Sequence, residues 1–170
     1  MDATDIYTIV QRYFSNHDHK WQNKFIFKRD WECDFFCVSN SGYCIEVEVK
    51  VSKSDFLADF KKPKHELFKT ILLGGTTNVT APNKFWYAFP DGMVTENIVP
   101  RYAGIIAVID RGGETSPHFK IVRHAPFIHK QKLDVEALLF DKYRWHRESL
   151  IRENESLKRA LQRLTKLKEA

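Results

Sequence analysis

Apolar and polar residues alternate along Tyr43-Cys44-Ile45-Glu46-Val47-Glu48-Val49-Lys50-Val51, which predicts a β-strand. Ile45, Val47, Val49 and Val51 fall on one face, expected to be core, and Cys44, Glu46, Glu48 and Lys50 fall on the other. Upstream, residues 4–15 set Ile6, Ile9, Val10, Tyr13 and Phe14 on one side of an amphipathic helix. A polar loop with His17, Asp18 and His19 follows, then two β-like runs, Phe25 to Lys28 and Glu32 to Val38. Ser54 is placed to cap a helix through Phe56, Leu57 and Phe60, and Pro63 interrupts it or opens a second helical segment around Leu67, Phe68, Ile71 and Leu72. Gly74 to Asn78 reads as a loop and Phe85 to Phe89 as an aromatic strand closed by Pro90. Gly104 to Ile109 is a continuous apolar run, the pattern of a strand covered on both faces. Phe119 to Val122 suits a short edge strand, and the chain is helical from Val135 onwards. Three strands, a helix and further strands predict an α/β sandwich on one mixed sheet over residues 1–133, with a C-terminal helix over 134–170.

Composition narrows this only modestly. At 170 residues, with 43% hydrophobic and 29% charged positions, the chain can bury one core. It has no apolar run long enough for a membrane span and no signal-peptide pattern at its start. Cys33, Cys37 and Cys44 are too few and too close for a disulfide framework, so buried thiols and a reducing, cytoplasmic setting are expected. The net charge is +5, but residues 147–170 carry seven Lys/Arg against four Asp/Glu, which leaves only +2 for the rest. A nucleic-acid reading must therefore rest on local clusters.

The connection Val38-Ser39-Asn40-Ser41-Gly42-Tyr43 predicts a hairpin with a three-residue loop and a left-handed Gly42. That register puts Asp34 across from Glu48, with backbones roughly 5 Å apart. Opposed carboxylates repel unless a cation lies between them, and Mg²⁺ takes carboxylate oxygens and water. Lys50, about 7 Å further along the same face, would orient a water for metal-assisted hydrolysis. The competing reading is the wet face of an antiparallel sheet, in which Glu32 pairs with Lys50 across the strands. Glu46, opposite Phe36, is the weaker carboxylate: a supporting or second-metal group, or a structural one.

Asp34, thirteen intervening residues and then Glu48-Val49-Lys50, in an αβββαβ order, resemble the PD-(D/E)XK nuclease superfamily. The longer run Val47-Glu48-Val49-Lys50-Val51-Ser52-Lys53-Ser54-Asp55-Phe56-Leu57-Ala58-Asp59, with Lys61, Lys62 and Pro63 after it and Phe85 to Pro90 beyond, is similar to the MmcB-like group of inferred DNA-repair endonucleases. The similarity covers roughly residues 25–130. It implies a restriction-endonuclease-like core in which Asp34 and Glu48 bind Mg²⁺ or Mn²⁺ and Lys50 positions the water attacking a phosphodiester of DNA. Cys33 stands where the superfamily name has proline, and the acidic residue or glutamine frequent on a flanking helix has no clear match.

Lys53, Lys61, Lys62, Lys64 and His65 are candidates for holding DNA phosphates, against the plainer reading of a solvated helix face. Leu150, Leu157 and Leu164 recur every seven residues, with Asn154 and Leu161 between them, the spacing of a short coiled coil. This makes residues 143–168 a candidate homodimer seam, although the stripe would serve equally to pack on the body or touch DNA. Two functions remain open: a Mg²⁺-dependent deoxyribonuclease of repair, recombination or restriction, or a non-catalytic DNA-binding or adaptor protein that keeps the nuclease fold.

Overall fold

The first helix, α1 (Ala3–Tyr13), opens with a reciprocal cap in which Asp5 N donates to Asp2 Oδ1 at 3.0 Å and Asp2 N donates to Asp5 Oδ2 at 2.9 Å. Its Ile6, Ile9 and Val10 are buried, as the helical period requires. The structure, a computed structural model, describes residues 1–28, 31–75, 80–110 and 118–168. The chain separates into two units, Met1–Leu133 and Asp134–Ala170. Among the described residues, no helix is long and apolar enough to cross a membrane.

Among the described residues, six strands form one mixed sheet in sequence order: β1 (Asp18–Lys28), β2 (Trp31–Val38), β3 (Cys44–Val49), β4 (Lys84–Pro90), β5 (Ala103–Ile109) and β6 (His118–Arg123). The first three run antiparallel to one another, β3, β4 and β5 are parallel, and β6 returns antiparallel to β5. A parallel step needs a crossover, and α2 (Lys53–Asp59) and α3 (Pro63–Leu72) supply it between β3 and β4. Helix α4 (Val135–Lys168) makes up the second unit.

The hairpin between β2 and β3 closes as its loop residues dictate. Gly42 takes φ +79°, its N–H bonds to Ser39 O at 2.7 Å, and Ser39 N bonds to Tyr43 O at 2.9 Å. Val38 then pairs with Cys44, and Phe36 with Glu46. The ladder's last pair is Phe35 with Val47.

Three expectations change, and the alternative left open at Pro63 is decided. Asp18 and His19 belong to β1 rather than a loop, because an outer strand bonds on one side only and tolerates polar sequence. Ser52, not Ser54, caps α2, accepting from Asp55 N at 3.2 Å. Pro63 opens α3 as its first residue. Most consequential, β3 has no wet face: every residue from Cys44 to Val49 is buried. On one side Ile45, Val47 and Val49 pack with Ile6, Ile9, Val10 and Phe14 of the α1 region. On the other, the crossover helices cover the sheet, with Phe56 against Tyr87 at 5.0 Å and Phe68 against Phe85 at 5.2 Å between ring centroids. Of the loop expected at Gly74 to Asn78, residues 76–79 lie outside the described residues.

One close approach in the sheet is easily tested. A Cβ on Gly104 would meet Trp86 Cε3 at 2.3 Å and Ala125 N at 2.6 Å. Gly104→Ala should therefore destabilise the fold by about 1–3 kcal/mol, read as a lowered urea midpoint at unchanged slope.

Candidate active site

The covered face of β3 carries charge into the interior. Glu46 and Glu48 are completely buried, and Lys50, Asp59, Lys64 and His65 nearly so. Each is delivered by a simple local device. The strand pleat points Glu46 and Glu48 away from α1, and the backbone N–H of Lys50, just past β3, bonds to Ala88 O of β4 at 2.9 Å. Asp59 lies three residues after buried Phe56 on α2. Lys64 and His65 follow the Pro63 that starts α3, and Lys64, Phe68 and Ile71 share its inward stripe.

Glu48 is the hub. Lys50 Nζ approaches its Oε2 at 2.8 Å and Lys62 Nζ the same oxygen at 3.2 Å, while Lys64 Nζ bonds its Oε1. Lys64 also reaches Glu46 Oε1 at 2.8 Å, and Trp31 Nε1 donates to Glu46 at 3.0 Å. Asp59 forms a second node: Oδ1 takes Lys62 at 2.7 Å and Lys50 at 3.2 Å, and Oδ2 accepts from Tyr87 OH at 2.7 Å and lies 2.9 Å from His65 Nε2. His65 Nδ1 meets Tyr102 OH at 2.8 Å.

Asp34 joins this cluster by a different route. The β2–β3 ladder stops at Phe35–Val47, and Asp34 Oδ2 takes the next strand donor, Val49 N, at 2.8 Å. Its side chain thus substitutes for a backbone acceptor at the point where the two strands part. Among the described residues Asp34 forms no ion pair, whereas Glu46, Glu48 and Asp59 each do. Glu46, Glu48 and Asp59 thus take up the ammonium groups of Lys50, Lys62 and Lys64, with the more exposed Asp55 at 3.9 Å from Lys50, and Asp34 is left outside the pairing.

The acidities follow that imbalance. Burial, then the charge of Glu48, pushes the Asp34 carboxyl up to about 6. Burial also raises Glu46, to about 7, against the pull of Lys64. Burial opposes ionisation of Glu48 too, yet Lys64, Lys50 and Lys62 outweigh it and Asp59, holding Glu48 below the usual carboxylate range. Asp59 likewise lies below its ordinary value, because the His65 hydrogen bond and the lysines overcome its burial. For Lys50 and Lys64 the carboxylates overcome burial and raise the ammonium pKa. Burial, followed by the charges of Asp34 and Glu48, raises the phenol of Tyr7 on α1, so negative potential extends to that side.

Sequence-predicted residues meet different fates. Asp34, Glu48 and Lys50 gather at one end of β3. Glu46 is no bystander, being locked between Lys64 and Trp31. The cross-strand Glu32–Lys50 pair is absent among the described residues: Glu32 is exposed, and Lys50 pairs with Glu48, Asp59 and, at 3.9 Å, Asp55. Lys53 and Lys61 are exposed and the Lys62 side chain is 47% exposed, as phosphate-holding groups must be. Lys64 and His65 are not available for that role, because the inward stripe of α3 spends them on buried carboxylates. Asp59, Tyr87 and Tyr102 were not singled out from sequence, although Asp59 stands at helical spacing from Phe56. The free thiols Cys33, Cys37 and Cys44 are all buried.

Two carboxylates suit a hard cation that keeps several waters, as Mg²⁺ does. Asp34 Oδ1 accepts no hydrogen bond from the described residues, and Asp34 has no ion pair among them. Glu48 is more heavily engaged, and of its three lysines Lys62 alone has a substantially exposed side chain. No set of three or more His, Cys, Asp or Glu groups forms a ready-made metal cage among the described residues. Asp34 Oδ1 is thus the open donor, whereas Glu48 would have to release a lysine to take an ion.

No family model and no curated protein matches the chain. The solved structure of a protein of unknown function from Silicibacter pomeroyi is similar, with a TM-score of 0.58 over 91% of this chain and 92% of that one, at 16% identity. At that identity the likeness is one of fold.

Two measurements probe the charge balance in metal-free buffer. Raised above its unfolded value, the Asp34 carboxyl costs stability as pH climbs towards and past about 6, and costs nothing in acid, where both states are protonated. Asp34→Asn should thus stabilise by about 1–2 kcal/mol at pH 8 after solvent screening, with the gain vanishing near pH 3 in chemical denaturation. Lys64→Met leaves buried Glu46 and Glu48 short of a counter-charge and should destabilise by about 3–5 kcal/mol. Adding Glu46→Gln should recover part of that loss in a double-mutant cycle.

Proposed function

We propose that this protein is a divalent-metal-dependent deoxyribonuclease with a restriction-endonuclease-like core, related to the MmcB-like group of the PD-(D/E)XK superfamily. The observation that carries the reading is the meeting of Asp34, Glu48 and Lys50 where β2 and β3 part, with Asp34 half-buried beside like charge and without an ion pair among the described residues. Among the described residues Asp34 is the carboxylate of this cluster that the lysines do not pair, and it is the acid expected to bind metal. Asp34 and Glu48 would hold Mg²⁺ or Mn²⁺, which supplies charge neutralisation and a more acidic water.

The chain's own groups have definable tasks. Lys50 stays protonated at neutral pH, since Glu48 and Asp59 raise its ammonium. It is therefore a charged donor that orients a water or a phosphate oxygen, not a general base. Asp59 holds Lys50 at 3.2 Å, and His65 and Tyr87 fix Asp59 in turn. Lys53, Lys61 and Lys62, on the exposed surface of the α2–α3 segment, are suited to backbone phosphates, a contact independent of sequence.

A second reading, a DNA-binding or adaptor protein that keeps the fold without cutting, draws on one specific observation: both oxygens of Glu48 are already bonded to lysines. Incubation with supercoiled, single-stranded and branched DNA separates the two. The nuclease should nick in Mg²⁺ or Mn²⁺ and lose at least about 100-fold in rate on Asp34→Ala or Lys50→Ala. DNA binding without cleavage of any substrate would favour the adaptor. Lys53→Ala with Lys61→Ala should weaken DNA binding at low salt and flatten its salt dependence, read by fluorescence anisotropy.

A further inference from the structure

Among the described residues, helix α4 is the only element of the unit Asp134–Ala170, and it carries apolar surface that it cannot bury by itself. Leu150, Leu157 and Leu161 are exposed by 46%, 61% and 65%. Their spacing is that of a heptad seam: Leu150, Leu157 and Leu164 at one core position, Asn154 and Leu161 at the other. A lone helix gains little from its own backbone bonds in water, so a stripe of this kind calls for a partner surface.

We infer that this partner is a second copy of the same helix, in a parallel, in-register two-stranded coiled coil. Two features select that occupant. The first is Asn154. In a parallel pair it faces its own copy, and the two amides hydrogen-bond to each other. In an antiparallel or shifted pair it faces leucine, leaving a buried amide unsatisfied at a cost. The second is charge. Glu153 and Lys158 flank the seam on opposite sides, five residues apart, the spacing at which Glu153 of one helix meets Lys158 of its parallel twin. Two-fold symmetry forms that pair twice. The arrangement is independent of the nuclease reading.

Sedimentation of the full-length chain over a wide concentration range tests it. A monomer–dimer equilibrium is expected, with the dissociation constant raised by about 100-fold or more for Leu157→Lys while the thermal transition of the β-sheet body is retained. Glu153→Lys should weaken association, and adding Lys158→Glu should restore it, a rescue that simple loss of helicity would not give. Asn154→Cys should cross-link the dimer on mild oxidation, against a low background because Cys33, Cys37 and Cys44 are buried. A wild-type chain that stays monomeric throughout, or a Leu157→Lys dimer of unchanged affinity, overturns the proposal. A dimer in which neither the charge swap nor the cross-link works overturns the parallel register.

Discussion

Glu48 has no exposed surface, and much of the first unit is arranged to keep its charge tolerable. An ionised carboxylate inside a sheet is among the most costly groups a protein can bury, and is retained only with close, well-aligned counter-charges. Three lysines from three points of the chain meet that demand: Lys50 just past the strand, Lys62 at the junction of two helices, and Lys64 on the first turn of α3. Lys62 and Lys64 arrive because the crossover between β3 and β4 folds down on this face, and Lys50 because it continues the strand's alternation. The ion-pair lattice and the parallel step are thus two aspects of one constraint.

The lattice is uneven. Glu48 and Asp59 are over-provided with cations and hydrogen-bond donors, and both remain ionised readily. Asp34 and Glu46 are under-provided, and burial pushes both upward. Pushing the acidities of neighbouring carboxylates apart is what a protein does when they have different tasks, although ion-pair networks of purely structural origin also perturb them. What distinguishes Asp34 is its position. It sits at the fork of two strands, its backbone ladder already ended, with one oxygen given to Val49 N–H. A fork of this kind opens the sheet at the spot where the acidic and basic side chains converge.

The second unit obeys a simpler rule. A 34-residue helix with leucines at coiled-coil spacing has its apolar surface set by sequence period alone, without any contribution from the sheet. In the first unit, by contrast, the charged residues are placed by contacts between elements far apart in the chain.

The sequence by itself determined the strands' alternation, the three-residue hairpin and hence the register of β2 against β3, because turn chemistry and period act over a few residues. It also determined the apolar stripe of α1 and the heptads of α4. From these, Asp34, Glu48 and Lys50 were identifiable as a group. Whether the Glu46–Glu48–Lys50 face met water was not readable, since alternating charge on a strand has the same pattern under solvent or under a helix that brings its own counter-charges. Only the tertiary structure decided that Lys64 and His65 point inward, that Glu46 is locked to Trp31, and that Asp59 braces Lys50. Those outcomes depend on where the crossover lands, and a charge buried with its partner is set by contacts between residues far apart in sequence.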